Sequence, residues 1–217
     1  MIDFERARKT MVDNQLRTSG ITDRRVLAAM GDIPREKFVP AARHGLAYID
    51  EAQPLNATRS LGAPAPFARL VQLAAIEHGD RVLDLGCATG YSSAVLSRLA
   101  SSVVAVEEDP VLASAAHDNL SSLGITNVTV LDGALSRAAS DHGPFDVAIV
   151  EGALAEVPAA FLAQLKPEGR LVALIAAGGK PPVAHLFVKS GKSISSSATF
   201  DAHLPPLSRP ADPGFVF

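Results

Sequence analysis

The sequence predicts an α/β protein built on a mostly parallel sheet, and three observations predict it. From Gly79-Asp80 onward, short apolar runs alternate with helical stretches, as parallel strands joined by crossover helices do. The stretch from Arg81 to Tyr91 (RVLDLGCATGY) reads as a buried strand, a small-residue turn and a helix start. Acids also stand at the ends of three successive strands: Asp84, Glu107 and Asp132. Ligands of open α/β sheets bind beyond those strand ends, so the acids mark the expected site.

The N-terminal part reads as helical. Ile2, Phe4, Ala7, Met11 and Leu16 approximate a stripe on one helix, with Gly20 as its stop. Thr22 can cap a second helix running to Met30, with Asp23 in its first turn. Residues 34–40 (PREKFVP) form a short turn-bounded segment. A polar, hydroxyl-rich run over residues 56–64 then precedes a helix expected from Phe67 to His78, and loops placed this way often carry function.

In the sheet region, strands are expected at residues 81–85, 103–106, 128–131, 145–150 and 170–176. A helix follows the glycine turn from Ser92 to Ala100. The next spans residues 110–123, with Pro110 in its first turn and Gly124 as its stop, and another covers residues 158–165. Residues 166–169 (KPEG) read as a turn. Residues 184–189 and 194–200 read as a hairpin that adds an antiparallel C-terminal edge. The chain divides into a helical N-terminal lobe with its loop, residues 1–64, and a cofactor-binding unit, residues 65–217, within one compact body.

Bulk properties exclude several classes. The chain has 217 residues, an apolar fraction of 47% and a net charge of −3, with no basic excess to suggest nucleic acid or a membrane as partner. No apolar run reaches the length of a membrane span, and the first residues lack a signal-peptide core. The single cysteine, Cys87, suits a reducing compartment, so the expected location is the cytoplasm. His44, His78, His117, His142, His185 and His203 lie scattered, and no metal site is expected. Monomer and homodimer both remain open.

The glycine turn distinguishes between ligands. A dinucleotide site wants G-x-G-x-x-G, whereas this turn is Gly86-x-x-x-Gly90 with Ala88 between. Asp84 would repel a pyrophosphate but can pair with an ammonium or sulfonium group. Glu107 lies 23 residues after Asp84, near the ~20-residue offset at which an acid meets ribose hydroxyls, and Asp132 could accept from an adenine amine. The pattern D-x-G-x-[GA]-x-G resembles the first motif of S-adenosylmethionine-dependent methyltransferases.

Over nearly its full length the chain further resembles the protein-L-isoaspartate O-methyltransferase family. The most specific matches are residues 11–16 (MVDNQL), 20–23 (GITD), 26–30 (VLAAM), 34–40 (PREKFVP) and Ala47-Tyr48-x-Asp50. Residues 84–91, Val106-Glu107, residues 131–133 (LDG), 144–150 (PFDVAIV) and 165–172 (LKPEGRLV) also fit. The resemblance implies a Rossmann-like methyltransferase fold, S-adenosyl-L-methionine as cofactor, and a protein or peptide substrate bearing isoaspartate, methylated on its α-carboxylate. It implies cofactor contacts from Asp84, Gly86, Cys87, Ala88, Gly90, Tyr91, Glu107 or Glu108, Asp132 and Gly133.

Departures from the family pattern fall mainly in the substrate loop. Where members read G-Q-T-I-S-x-P, this chain places Ser60 at the threonine and Gly62 at the serine that faces the substrate carboxylate. Ser60, the Gly62 backbone and Arg59 are therefore the candidates to meet that carboxylate. Such an acceptor, with a pKa near ~4, is already ionised at neutral pH, so no general base is required and catalysis rests on positioning. Two other readings stay open: a family-like methyltransferase with another acceptor, and a non-catalytic S-adenosylmethionine binder.

Overall fold

The computed structural model describes residues 2–177 and 180–207. The expected second unit runs on to Phe217, and residues 208–217 lie outside the described ones. Buried apolar runs form the sheet interior: β3 (Arg81–Leu85), β4 (Ser102–Glu107), β5 (Val128–Asp132), β6 (Phe145–Leu154) and β7 (Leu165–Ile175). With β8 (Val183–Ser190) and β9 (Ser193–Asp201) they stand in the order β5-β4-β3-β6-β7-β8-β9. The first five pair in parallel, and β8 and β9 add the expected antiparallel hairpin. These residues and the crossovers between them make the mostly parallel α/β architecture read from the sequence.

Alternation along the strands assigns each residue to a face. Val82, Val103, Val147 and Ile149 join a cluster that also takes Met11, Leu16, Met30, Phe38 and Tyr91, so the N-terminal helices pack on this face. Leu83, Leu85, Val106, Ala148 and Val150 join a second cluster on the other side, with Phe161 and Leu165. The interstrand pairs Val82↔Val103 and Val82↔Val147 keep β4, β3 and β6 in step. Asp84, Glu107 and, two residues beyond Ile149, Glu151 therefore fall on the N-terminal face at the carboxyl end.

Helix boundaries differ from the expectations for local reasons. Asp3 caps α1 (Phe4–Met11), which widens into a π-helical stretch over Val12–Leu16. The second helix, α2 (Arg24–Asp32), is capped by Asp23 and not Thr22, because the Asp23 carboxylate accepts from Arg25 N while Thr22 N donates to Gln72. α3 (Pro64–Ala74) starts three residues early, at a proline that suits the first turn, and stops at Ala75, which has φ +46°. α4 (Tyr91–Leu96) is only six residues long. α5 (Pro110–Ser122) is capped by Asp109, and α6 covers Ala159–Ala163. The turn expected at residues 166–169 lies inside the span of β7, where Glu168 has φ +62° and the register with β6 shifts.

The polar run before α3 is not a plain connector. β1 (Gln53–Pro54) pairs antiparallel with β2 (Ser60–Leu61), and the Asn56 carboxamide accepts from Thr58 N and Arg59 N across the turn. At the far end of the chain, residues 203–207 run back over the carboxyl edge of the sheet. Ala153 N donates to Pro205 O and Leu207 N to Ala153 O, both at 3.0 Å.

Arg170 joins α3 to the sheet. Its guanidinium donates to the carbonyls of Ala74 and Ala75 at the C-terminal end of α3 and to Asp80 at 2.8 Å. Replacing Arg170 with Met strands those acceptors and is expected to lower the unfolding free energy by about 2–3 kcal/mol. Chemical denaturation of the variant beside the wild type measures it.

Candidate active site

Asp84 is fully buried at the end of β3. Its Oδ2 accepts from the hydroxyls of Ser92 (2.7 Å) and Ser93 (2.6 Å), both on α4, while Oδ1 has no partner among the described residues. Burial pushes its pKa up to about 6; the two serine hydroxyls oppose the rise and the Glu107 charge adds to it. An acid held this way keeps one unfilled acceptor oxygen and favours a cation beside it.

Glu107, at the end of β4, is fully committed in this structure. Its Oε2 accepts from Ala88 N (2.8 Å) and from Arg59 Nη2 (2.7 Å), and its Oε1 accepts from Glu108 N and Asp109 N. The same Arg59 guanidinium donates to Gly86 O at 2.7 Å and to Leu207 O. Arg59 therefore lies over the glycine turn, and its side chain is only 10% exposed. Gly86 has φ +84°, and a Cβ there would stand 2.4 Å from Leu207 and 3.1 Å from Arg59 Nη2. Beside the turn opens a cleft of about 320 Å³ lined by Thr58, Arg59, Glu107, Glu108, Leu135 and Leu207. That volume is at the low end of the ~300–1,000 Å³ usual for ligand sites.

The substrate-loop candidates meet a second layer of buried polar groups. Ser60 pairs with Pro54 in the β1–β2 hairpin. The Gly62 carbonyl accepts from Arg35 Nη2 at 2.5 Å, and Arg35 Nε donates to Ala47 O. Arg35 is completely buried, lies 4.7 Å from the Tyr91 ring centroid and keeps an unpartnered Nη1; burial lowers its pKa. A Cβ on Gly62 would come within 2.6 Å of Leu204 Cδ2, so the side chain absent from this loop leaves room for the returning C-terminal segment.

Several expected contacts are differently placed. The Cys87 thiol packs under the turn against Ala105 and Ala116, and burial pushes its pKa well up. The Tyr91 ring points into the core against Phe38 and Phe67, away from the cleft. Ala88, in the left-handed region at φ +50°, and Gly90 shape the turn through their backbones. Asp132, the register partner of Glu107, is exposed on the sheet-edge strand β5 and does not line the cleft; Gly133 N donates to the Glu107 carbonyl. Both adjacent acids line the cleft; Glu107 also accepts from Ala88 N of the turn, and Glu108 from Leu135 N. No group of three His, Cys, Asp or Glu able to hold a metal occurs among the described residues.

The sequence reading passed over Arg35, Leu204, Leu207 and Glu151. Glu151 alone left a signal: it is an acid directly after an apolar strand, as Asp84 and Glu107 nearly are. Its Oε1 is buried without a partner, and burial with the Asp84 charge pushes its pKa well above the carboxylate range.

The nucleoside cofactor implied by the resemblance fits this donor set. Asp84 offers an unfilled oxygen, Glu107 a carboxylate that lines the cleft, and the glycine turn a backbone that a ligand can approach closely. The sheet order and the acid-bearing strand ends define a Rossmann-like methyltransferase fold. Within that class, the model of the protein-L-isoaspartate(D-aspartate) O-methyltransferase family matches residues 6–207, and the chain belongs to this family. It is 40% identical over 185 residues to the protein-L-isoaspartate O-methyltransferase of Koribacter versatilis (strain Ellin345), covering 85% of this chain and 82% of the relative. The relative of the same name from Roseiflexus sp. (strain RS-1) is 37% identical, with 95% and 94% covered. A solved protein-L-isoaspartate O-methyltransferase superposes with a TM-score of 0.80 at 26% identity, covering 92% of this chain and 65% of that one. A Plasmodium falciparum structure described as the same type of enzyme, in complex with S-adenosyl-L-homocysteine, gives 0.79 at 20% identity over 92% of this chain and 97% of that one; the likeness is one of fold.

Contact between Gly62 and Leu204 makes the loop and the C-terminal segment interdependent. Gly62→Ser is expected to lower stability by about 1–3 kcal/mol through overpacking, and Leu204→Ala in the same chain to recover most of that loss. Thermal melts of the two single variants and the double variant supply the cycle.

Proposed function

We propose that this protein transfers the methyl group of S-adenosyl-L-methionine to the α-carboxylate of L-isoaspartyl residues in damaged proteins. The observation that carries the proposal is the family match over residues 6–207, joined to buried acids around a glycine turn. Bound, S-adenosylmethionine supplies a methyl group activated by its sulfonium charge. The chain's own residues bind and orient. Asp84 favours a cation at the methionine end, Glu107 accepts from the ribose, and Glu108 with Leu135 borders the adenosine side of the cleft. The acceptor carboxylate is ionised at neutral pH, so the protein need only align its oxygen and keep water away. Ser60 and the Gly62 backbone face that acceptor from the β1–β2 hairpin.

Arg59 has two roles in this reading. It neutralises Glu107 while the ribose position is free, and once ribose hydroxyls take that carboxylate its guanidinium becomes available to the acceptor carboxylate. A guanidinium can thereby supply the charge-assisted bond that the serine hydroxyl gives elsewhere in the family pattern.

The direct test is methyl transfer from labelled S-adenosylmethionine to an isoaspartyl peptide and to its aspartyl twin, with cofactor binding measured on the same sample. Transfer to the isoaspartyl peptide alone is expected. Cofactor binding without transfer would redirect the reading to another acceptor. Arg59→Gln is expected to separate the two roles: S-adenosylhomocysteine binds about threefold tighter or more, because a competitor for Glu107 is gone, while KM for the isoaspartyl peptide rises about tenfold or more. Calorimetry and steady-state kinetics read the two effects.

A further inference from the structure

Toward the carboxyl ends of β3 and β6, two carboxyl groups each keep one oxygen without a partner among the described residues. Leu85 pairs with Val150 in the parallel β3–β6 ladder, so Glu151, the next residue of β6, lies beside the start of the glycine turn. Alternation from Val147 and Ile149 turns it to the same face as Asp84. Asp84 Oδ1 and Glu151 Oε1 are each buried with no hydrogen-bond partner among the described residues. Asp84 is the largest charge acting on Glu151, opposed by Arg59 and then Arg35. Arg59 holds Glu107, Gly86 O and Leu207 O, and Arg35 holds Ala47 O and Gly62 O; the donors they have left, Arg59 Nε and Arg35 Nη1, bond neither acid. Buried acids with unfilled oxygens are costly as charges, which raises their hold on protons and is relieved when a cation with donors stands between them.

We propose that Glu151 and Asp84 together form the seat of the α-ammonium group of the cofactor, which makes Glu151 a binding residue of this active site. The inference rests on the reading of S-adenosylmethionine as cofactor. A primary ammonium brings one positive charge and three N–H donors, enough to satisfy both orphaned oxygens and one further acceptor. The alternatives in the cleft fit worse. An acceptor carboxylate would meet two like charges there, and a ribose hydroxyl brings no charge. The two acids thus also set ligand polarity. The amino-acid end of the cofactor lies toward β3 and β6, the adenosine toward β4 and the 320 Å³ cleft, and the acceptor carboxylate is kept to the Arg59–Gly62 side.

The test is calorimetric and needs no turnover. S-adenosylhomocysteine, which carries the ammonium, and 5′-methylthioadenosine, which lacks the amino-acid end, are titrated into the wild type, Glu151→Gln and Glu151→Thr, with thermal melts showing which variants are folded. The expected result is S-adenosylhomocysteine binding weakened about tenfold or more in the variants, with methylthioadenosine unchanged within about twofold. The deaminated analogue of S-adenosylhomocysteine, titrated into the wild type, should bind about tenfold more weakly than the parent and lose nothing further in the variants. S-adenosylhomocysteine binding unchanged in folded variants, equal weakening of both ligands, or full-strength binding of the deaminated analogue to the wild type would each overturn the proposal. Wild type that binds methylthioadenosine but is indifferent to the amino group overturns this seat alone. Wild type that binds neither nucleoside overturns the cofactor reading and the seat with it.

Discussion

Three carboxyl groups, two buried and the third half-buried with one enclosed oxygen, sit on one face of three neighbouring parallel strands, and what compensates them decides what this site can hold. Asp84, Glu107 and Glu151 arrive there because β4, β3 and β6 share register, so alternation turns the same face of each strand toward the N-terminal helices. Buried acids must be compensated. Ser92 and Ser93 compensate one oxygen of Asp84; Arg59 with three backbone amides compensates Glu107. What stays uncompensated has the electrostatic shape of a cationic ligand.

Compensation also explains why the N-terminal segment and the C-terminal return are part of the site. Arg35 comes from the N-terminal part, lies against Tyr91 and holds the Gly62 carbonyl. Leu204 and Leu207 come from the other end of the chain and lie over Gly62 and Gly86. The two glycines serve different purposes. Gly86 takes a positive φ and leaves space that Leu207 and Arg59 fill, whereas Gly62 makes room for Leu204. Arg59 connects the halves, since one guanidinium reaches the glycine turn, the β4 acid and the Leu207 carbonyl.

Much of the scaffold was legible in the sequence because buried parallel strands read as continuous apolar runs, and because glycine and proline punctuate the turns between them. The β8–β9 hairpin was legible from Ser190-Gly191-Lys192, where Gly191 takes φ +60°. Helix ends were less so: Asp23 took the cap from Thr22 because a glutamine on α3, 49 residues away, bonds the amides of both residues. Asp84 and Glu107 were legible as strand-end acids. Asp132 was legible as the third strand-end acid; its strand lies at the sheet edge, which leaves it exposed while its register partner Glu107 is enclosed. Cys87 and Tyr91 belonged to the right motif, but their side chains serve the core.

By itself the sequence determined the sheet, the glycine turn, the strand-end acids Asp84 and Glu107, and the family to which the chain belongs. These are local or periodic signals, carried by residues close together along the chain. Only the tertiary structure decided where Arg59 lies, because its partners Gly86, Glu107 and Leu207 are 27, 48 and 148 residues away. Only it could bring Glu151 beside Asp84, pair Arg35 with Gly62 and lay Leu204 on a glycine. Burial and charge compensation are properties of the assembled fold, and no single stretch of chain carries them.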